Sequence, residues 1–376
     1  MSRLNETWVY ASILHFMNDF ATALVPAIVL TLRSEFSLSY ADQGLLVTMP
    51  TLVAVLLQTF TGHLADRVHA SRIILACSML LGFGTALIGL SHSYGQLLIS
   101  ACIVGLGASF THPTIYSVTS SQYAGLEGRY LGFVSAAGDV SLPVVFAATQ
   151  ALAGVTGWRV LMLCYGLLTV SIGVALYKAS SKTTMIKRAG GGAAPGCRMV
   201  KQLVKPLVVL GLVSSCHRVV LAFTTTYLNR IGLSAELANY VFAAILSVGV
   251  MGPVLTGVLL KSGREMRAVA LEMAVISALS VSVAATSNPA LASVLLVPVG
   301  VLILSAWPPV YSTISRSSPR EHMGLTYGAS LTFAWAFGSA WPYIAGIIAD
   351  AYGISTAYLL VAALSVAAAV IATTAR

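Results

Sequence analysis

The chain is expected to fold as an all-α membrane protein of twelve transmembrane helices in two six-helix bundles. Composition, segment length and an internal repeat each lead there. Of 376 residues, 57% are hydrophobic and only 9% charged, and the mean hydropathy of +0.87 exceeds what a soluble domain needs for its core. Lipid is therefore the solvent for most of the chain. A spanning helix uses about 20 apolar residues at about 1.5 Å each, so twelve of them consume roughly 240 residues and leave short connections.

Apolar runs between polar breaks place helices near residues 7–32, 41–63, 72–91, 94–120, 129–153 and 158–177. A second set lies near 206–229, 236–260, 267–287, 289–314, 324–348 and 354–374. The first run carries Asp19 and Pro26 and no small-residue cleavage site follows it, so it is expected to remain as a helix rather than be removed as a leader. With the N-terminus inside, the cytoplasmic stretches collect Arg3, Arg67, Arg72, Arg129, the basic residues from Lys178 to Lys205, Lys261, Arg264, Arg267, Arg316, Arg320 and Arg376. Only Arg33, Arg159 and Arg230 fall outside, which predicts both termini in the cytoplasm. The net charge of +9 is thereby assigned to topology and to contact with anionic lipid, not to nucleic acid.

The halves repeat at an offset of 195 to 196 residues: Gly62 with Gly257, Arg72 with Arg267, Pro113 with Pro309, Gly128 with Gly324, Gly132 with Gly328, Gly157 with Gly353. These matches fall at equivalent helix ends. The expected organisation is a bundle over 1–177, a basic, glycine-containing cytoplasmic linker over 178–205, and a second bundle over 206–376. Parallel repeats of this kind suit a small-molecule site between halves that rock about it.

Five scattered cysteines, Cys77, Cys102, Cys164, Cys197 and Cys216, show no ligand spacing, so neither a disulfide nor a metal site is expected. The absence of HExxH, GxSxG or a paired cysteine site argues against an intramembrane enzyme. No cofactor is implied.

Ionisable residues within the bilayer cost about 2.5 to 3.5 kcal/mol each on insertion scales, so they mark partners or function. Asp19 lies eleven residues beyond Trp8, Asp139 ten beyond Arg129 and Arg218 twelve beyond Pro206, roughly 15 to 18 Å deep. Asp19 and Asp139 are the expected proton carriers, and Arg218 is the expected hook for an anionic substrate group or a partner of an acid. His15, Asp19 and Thr22 recur at i, i+4, i+7 on one helix face, with Asn18 beside them. His15, Asn18, His112, His217, Trp307 and Trp335 complete the candidate substrate-binding set, and Trp341 is a further wall candidate. His112 precedes Pro113, whose missing N–H frees a carbonyl, so a structural bond there stands equally with a ligand contact. His217 and Arg218 are adjacent and about 100° apart on their helix, so they cannot both face one cavity fully. Glu272, five residues past Arg267, is expected to reach the cytoplasmic interface as a structural residue with that arginine close by, and Trp8 and Trp158 to sit at the membrane interfaces.

Between the second and third helices the chain reads Gly62-His63-Leu64-Ala65-Asp66-Arg67-Val68-His69-Ala70-Ser71-Arg72. This resembles the signature loop of the major facilitator superfamily, with His69 where glycine is usual. Gly157-Trp158-Arg159 and Gly346 through Gly353, including Asp350, are also similar to that superfamily's loops. The resemblance implies a conformational role for Gly62, Asp66, Arg67, Arg72 and Asp350, with Asp66 binding a neighbouring helix N-terminus. Leu14 through Phe20, Ser34 through Tyr40 and Phe110-Thr111-His112-Pro113 resemble the fosmidomycin-resistance branch, although Thr114 stands where that branch commonly carries glutamate. What this implies is a monomeric, proton-driven exporter of a small molecule in the cytoplasmic membrane, working by alternating access. A proton-coupled importer or facilitator of a small organic anion is the alternative, and a non-transporting membrane sensor is the reading from a different class.

Overall fold

The computed structural model describes residues 6–123, 126–181, 197–260, 263–316 and 323–374. Six helices form the first half: α1 (Thr7–Phe36), α2 (Tyr40–Arg67), α3 (Ala70–Leu90), α4 (Tyr94–Gln122), α5 (Glu127–Thr156) and α6 (Trp158–Ser180). The second half begins with α7 (Cys197–Arg230), α8 (Ala235–Gly249), α9 (Met251–Leu259), α10 (Glu265–Ala285) and α11 (Pro289–Ser305). It ends with α12 (Trp307–Arg316), α13 (Met323–Ser339), α14 (Trp341–Tyr352) and α15 (Thr356–Thr374). Among the described residues these make twelve spans long and apolar enough to cross a membrane. Their ends lie within four residues of those read from apolar runs, except that α7 starts at Cys197 rather than Pro206. The end of the stretch read as linker is thus helical, while its residues 182–196 fall outside the described set.

Fifteen helices make twelve spans because three spans of the second half are interrupted, at Val250, Ala306 and Ala340. Proline chemistry accounts for all three. Pro253, Pro308, Pro309 and Pro342 each stand at the second or third position of the new helix, where the ring supplies no N–H for the carbonyl four residues earlier. Each downstream segment therefore starts afresh. Prolines placed deeper within a segment, such as Pro26 in α1 and Pro113 in α4, leave their helices unbroken.

The repeat is carried by backbone geometry as well as by sequence. Gly157 closes α5 with φ of 78° and donates its N–H to Ala153 O at 2.9 Å. Its counterpart Gly353 closes α14 with φ of 94° and donates to Ala349 O at 2.8 Å. A left-handed φ favours glycine at a helix C-terminus, so both halves turn the same corner by the same means.

The chain divides into two compact units, one of residues 1–28 with 49–191, the other of 29–48 with 192–376. In the first unit α3 packs on α4 and α6, and at the α3–α6 crossing a Cβ on Gly82 would overlap the carbonyl oxygen of Gly166, and the reverse. Small residues permit this close helix approach in lipid, where packing rather than hydrophobicity holds helices together. Gly82→Ala is expected to destabilise the protein by about 1 to 3 kcal/mol through overpacking. Gly95→Ala, at a helical position with nothing within 4 Å, should be neutral or slightly stabilising. Thermal melting of the two variants in detergent measures the difference, and equal melting temperatures would refute the role of close packing at Gly82.

In the second unit α10 packs on α15, α11 and α12, and α7 packs on α13 and α15. The α1–α2 hairpin tip belongs to this unit. Gln43 donates from Nε2 to Ala222 O at 2.6 Å and to Thr226 Oγ1 at 3.0 Å. Arg33 lies over the Tyr40 ring at 4.1 Å and donates to Gln43 Oε1 at 3.3 Å.

Candidate functional site

In the first unit a polar cluster is built from α1, α4 and α5. His15 and Asp19, one helical turn apart on α1, bring Nε2 and Oδ2 to 3.4 Å. His15 Nδ1 lies 2.8 Å from the Val134 carbonyl of α5, which can only accept, so that nitrogen carries a proton. Asn18 donates from Nδ2 to Asp19 Oδ1 at 2.8 Å, while its own Oδ1 is buried without a hydrogen-bond partner among the described residues. Asn18 is 2% exposed and His112, on α4, 1%. The His112 ring meets that of His15 edge to face at 5.1 Å. Asp139 on α5 interacts electrostatically with both His15 and Asp19.

Gly138 completes the cluster. A Cβ there would overlap the Asp19 carboxylate and the His15 ring, so only glycine lets α5 come this close to the pair. Ligand atoms of His15, Asp19 and His112 lie within 4.8 Å of one another, a spacing suited to one small shared cation. On α1 the i, i+4 spacing brings His15 and Asp19 together, α4 adds His112, and Thr22 at i+7 bonds the Asp19 backbone carbonyl instead.

The second unit holds the other candidates. His217 and Arg218 on α7 face different helices, as their angular separation requires. The His217 ring meets Trp307 of α12 edge to face at 6.4 Å, whereas the Arg218 guanidinium lies over Trp335 of α13 at 5.6 Å. His217 Nε2 is buried with no hydrogen-bond partner among the described residues. Trp307 in turn stacks against Tyr311 at 6.1 Å.

The loop motif behaves less uniformly. A Cβ on Gly62 would make only ordinary contact with Pro113, so close helix approach is not what this glycine provides. Arg67 and Arg72 are exposed, and the Asp66 side chain lies outside the described set. Asp350 does what was expected of Asp66. Its two carboxylate oxygens accept the backbone N–H groups of Tyr40 and Ala41, each at 2.8 Å, and so neutralise the positive N-terminus of α2. Asp350→Ala is expected to cost about 1 kcal/mol at this cap, which is about five-fold faster amide exchange at Tyr40 and Ala41 by hydrogen-exchange mass spectrometry. Unchanged exchange there would refute the capping role.

Two expectations are corrected. Glu272 does not turn toward Arg267: its Oε1 lies 3.0 Å from Ser305 Oγ, within hydrogen-bond distance, and its Oε2 is buried without a partner among the described residues. Five residues advance a helix by about 500°, which puts the two side chains roughly 140° apart. Trp158, at the first position of its span, is 8% exposed beneath the Arg159 guanidinium at 4.4 Å, so at that end of the helix it packs against protein instead of facing lipid. Gln43 was missed altogether, because its partners lie 179 and 183 residues away and nothing local marks them.

A family model described as the Major Facilitator Superfamily matches residues 11–342. The chain belongs to the major facilitator superfamily. A stretch of 119 residues, 31% of the chain, is 34% identical to the fosmidomycin resistance protein of Escherichia coli (strain K12) and covers 29% of it. Another of 150 residues, 39% of the chain, is 27% identical to the probable L-galactonate transporter of the same organism and covers 33% of it. These alignments span about a third of each relative. Across 95% of the chain, identity is 23% to an uncharacterized MFS-type transporter of Bacillus subtilis (strain 168), of which 90% is covered.

A bacterial homologue of the human lysosomal transporter Spinster, solved in an inward-facing and occupied conformation, superposes with a TM-score of 0.84. Identity is 16%, with 98% of this chain and 96% of that one covered, which establishes the fold. This member of the superfamily accordingly carries, among the described residues, twelve helical spans long and apolar enough to cross a membrane.

Proposed function

We propose that the protein is a secondary active transporter that exports a small molecule in exchange for protons, by alternating access of its two halves. The observation that carries the reading is the His15–Asp19 pair. Because His15 Nδ1–H is committed to Val134 O, a neutral imidazole would turn a bare Nε2 lone pair toward the Asp19 carboxylate at 3.4 Å. Lone pairs facing across that distance repel, and a proton between them turns repulsion into an ion pair or hydrogen bond. Asp19 with His15 is therefore the primary proton carrier in this reading, and Asp139 the second acid that senses its charge.

Arg218 over Trp335 supplies the cationic contact for substrate in this reading, while His217 and Trp307 form a separate aromatic contact toward α12. Of the relatives, one is named for fosmidomycin resistance, which supports export. Another is named for L-galactonate transport. Together with a guanidinium at membrane depth, that name favours a second reading, a proton-coupled importer or facilitator of a small organic anion. Both readings place the termini in the cytoplasm. Reaction of Cys197 with a membrane-impermeant thiol reagent in intact cells would overturn that orientation.

Purified protein in liposomes containing a pH-sensitive dye, challenged with a panel of small organic anions and cations, tests the proposal. Substrate-evoked proton movement, with counterflow of the same compound, is the expected result. Counterflow without proton movement would remove the coupling, and the absence of both would remove the transporter reading. The direction of proton movement under an imposed substrate gradient separates export from import.

A further inference from the structure

Glu272 lies outside the clusters described above, and three observations converge on it. It stands seven residues into α10 from Glu265, roughly 10 Å along the span. Its only hydrogen-bond partner among the described residues is Ser305, the last residue of α11 before the interruption at Ala306. The interruption in the neighbouring span is close by, since a Cβ on Gly252, two residues past Val250, would meet Ser305. A carboxyl group thus sits where two interrupted spans come together.

The hydrogen-bond geometry is met in full by a protonated carboxyl. Ser305 Oγ lies 3.0 Å from Glu272 Oε1 and 3.0 Å from Leu302 O, yet a hydroxyl has one proton to give. Leu302 O can only accept, so both bonds form together when the carboxyl itself carries a proton and donates it to Ser305 Oγ, while the hydroxyl donates to Leu302 O. Electrostatics act in the same direction. Ser305 ends α11, and the C-terminal pole of a helix repels a carboxylate.

Among the described residues no cation offsets this. Helix α11 bears no titratable side chain. Helix α12 brings Tyr311 and Arg316, the latter paired with Glu265. Helix α15 brings Tyr358, bonded to Thr224 at 2.9 Å, and Arg267 is on another face of α10.

We infer that Glu272 is a proton-binding site of the second unit, filled while α10 holds the interrupted end of α11, and that loss of this proton releases the contact. Deprotonation leaves a carboxylate beside a helix C-terminus with its Oε2 buried and without a donor among the described residues, a cost relieved when the group moves away from Ser305. The test reads stability and not transport, so its outcome does not depend on the role proposed for Asp19.

Full-length protein in detergent is followed by infrared spectroscopy and thermal melting from acidic to alkaline pH, as wild type and as Glu272→Gln. A folded state that binds one proton more than the unfolded state loses stability as pH rises. The wild-type melting temperature is therefore expected to fall with rising pH as a protonated-carboxyl C=O band disappears. Glu272→Gln, whose amide can donate to Ser305 as the neutral acid does, is expected to lack that part of the band and melt with a shallower pH slope. An identical slope and band in the variant would overturn the site, as would a wild-type band that persists to the highest pH at which the protein stays folded. If Glu272→Gln does not fold, Ser305→Ala serves instead: removing the hydroxyl should move the carboxyl band, and an unmoved band overturns the assignment.

Discussion

Asp19→Asn is expected to abolish pH-driven accumulation while leaving counterflow of the same compound close to the wild-type rate. The amide occupies nearly the volume of the acid, so Gly138 still fits against it, and its oxygen still accepts from Asn18 as Asp19 Oδ1 does at 2.8 Å. Its NH₂ group then faces His15 Nε2, where it donates to the lone pair that the carboxylate would repel. The variant in this way imitates the proton-loaded pair and cannot unload it. Exchange of substrate for substrate needs no change of protonation and continues; accumulation against a gradient needs one proton bound and released per cycle, and stops. Proteoliposomes with and without a pH gradient separate the two. Proton-driven accumulation by Asp19→Asn at the wild-type rate would remove Asp19 from the mechanism and leave Asp139 as the acid of this cluster.

Much of this cluster is legible in the sequence alone. Depth can be counted from helix ends, and a 3.6-residue repeat places His15 and Asp19 on one face, because both facts are local to α1. Gly157 and Gly353 announce the repeat for a similar reason, since a helix C-terminus with positive φ accepts few other residues. What resists reading is long-range or conditional. Asp350 caps a helix whose first residue is 310 positions away, and the choice between Asp66 and Asp350 as the capping acid depends on which helix ends come together.

Proline is visible at every interruption, yet also in unbroken α1 and α4. The interrupted spans differ in having proline within three residues of a place where the chain has already begun a new helix. Glu272 was misread for a simpler cause: proximity in sequence stood in for helical geometry, and the angular count turns it away from Arg267.

Arg218→Ala is expected to lose both pH-driven accumulation and counterflow. An arginine in the middle of a span carries an insertion cost of about 2.5 to 3.5 kcal/mol, and the Arg218 guanidinium lies over the Trp335 ring at 5.6 Å. In the proposed transporter that cost is met by what the group binds. A charge-assisted hydrogen bond from guanidinium to an anionic substrate contributes about 1.5 to 3 kcal/mol, so its removal should weaken binding about 10- to 100-fold, which in counterflow is close to silence. Arg218→Lys should recover only part, because the ammonium keeps the charge but has neither the planar fork for a bidentate contact nor the same stacking on Trp335.

Melting temperature distinguishes binding from architecture. A residue held for substrate is a liability to the empty protein, and Arg218→Ala should then melt no lower than wild type. A permanent ion pair broken by the same change would leave its acid buried and uncompensated, with a loss of about 3 to 5 kcal/mol and a clear fall in melting temperature. Counterflow at the wild-type rate in a stable Arg218→Ala protein would take the arginine out of the substrate site. A destabilised one would make it a structural residue of α7.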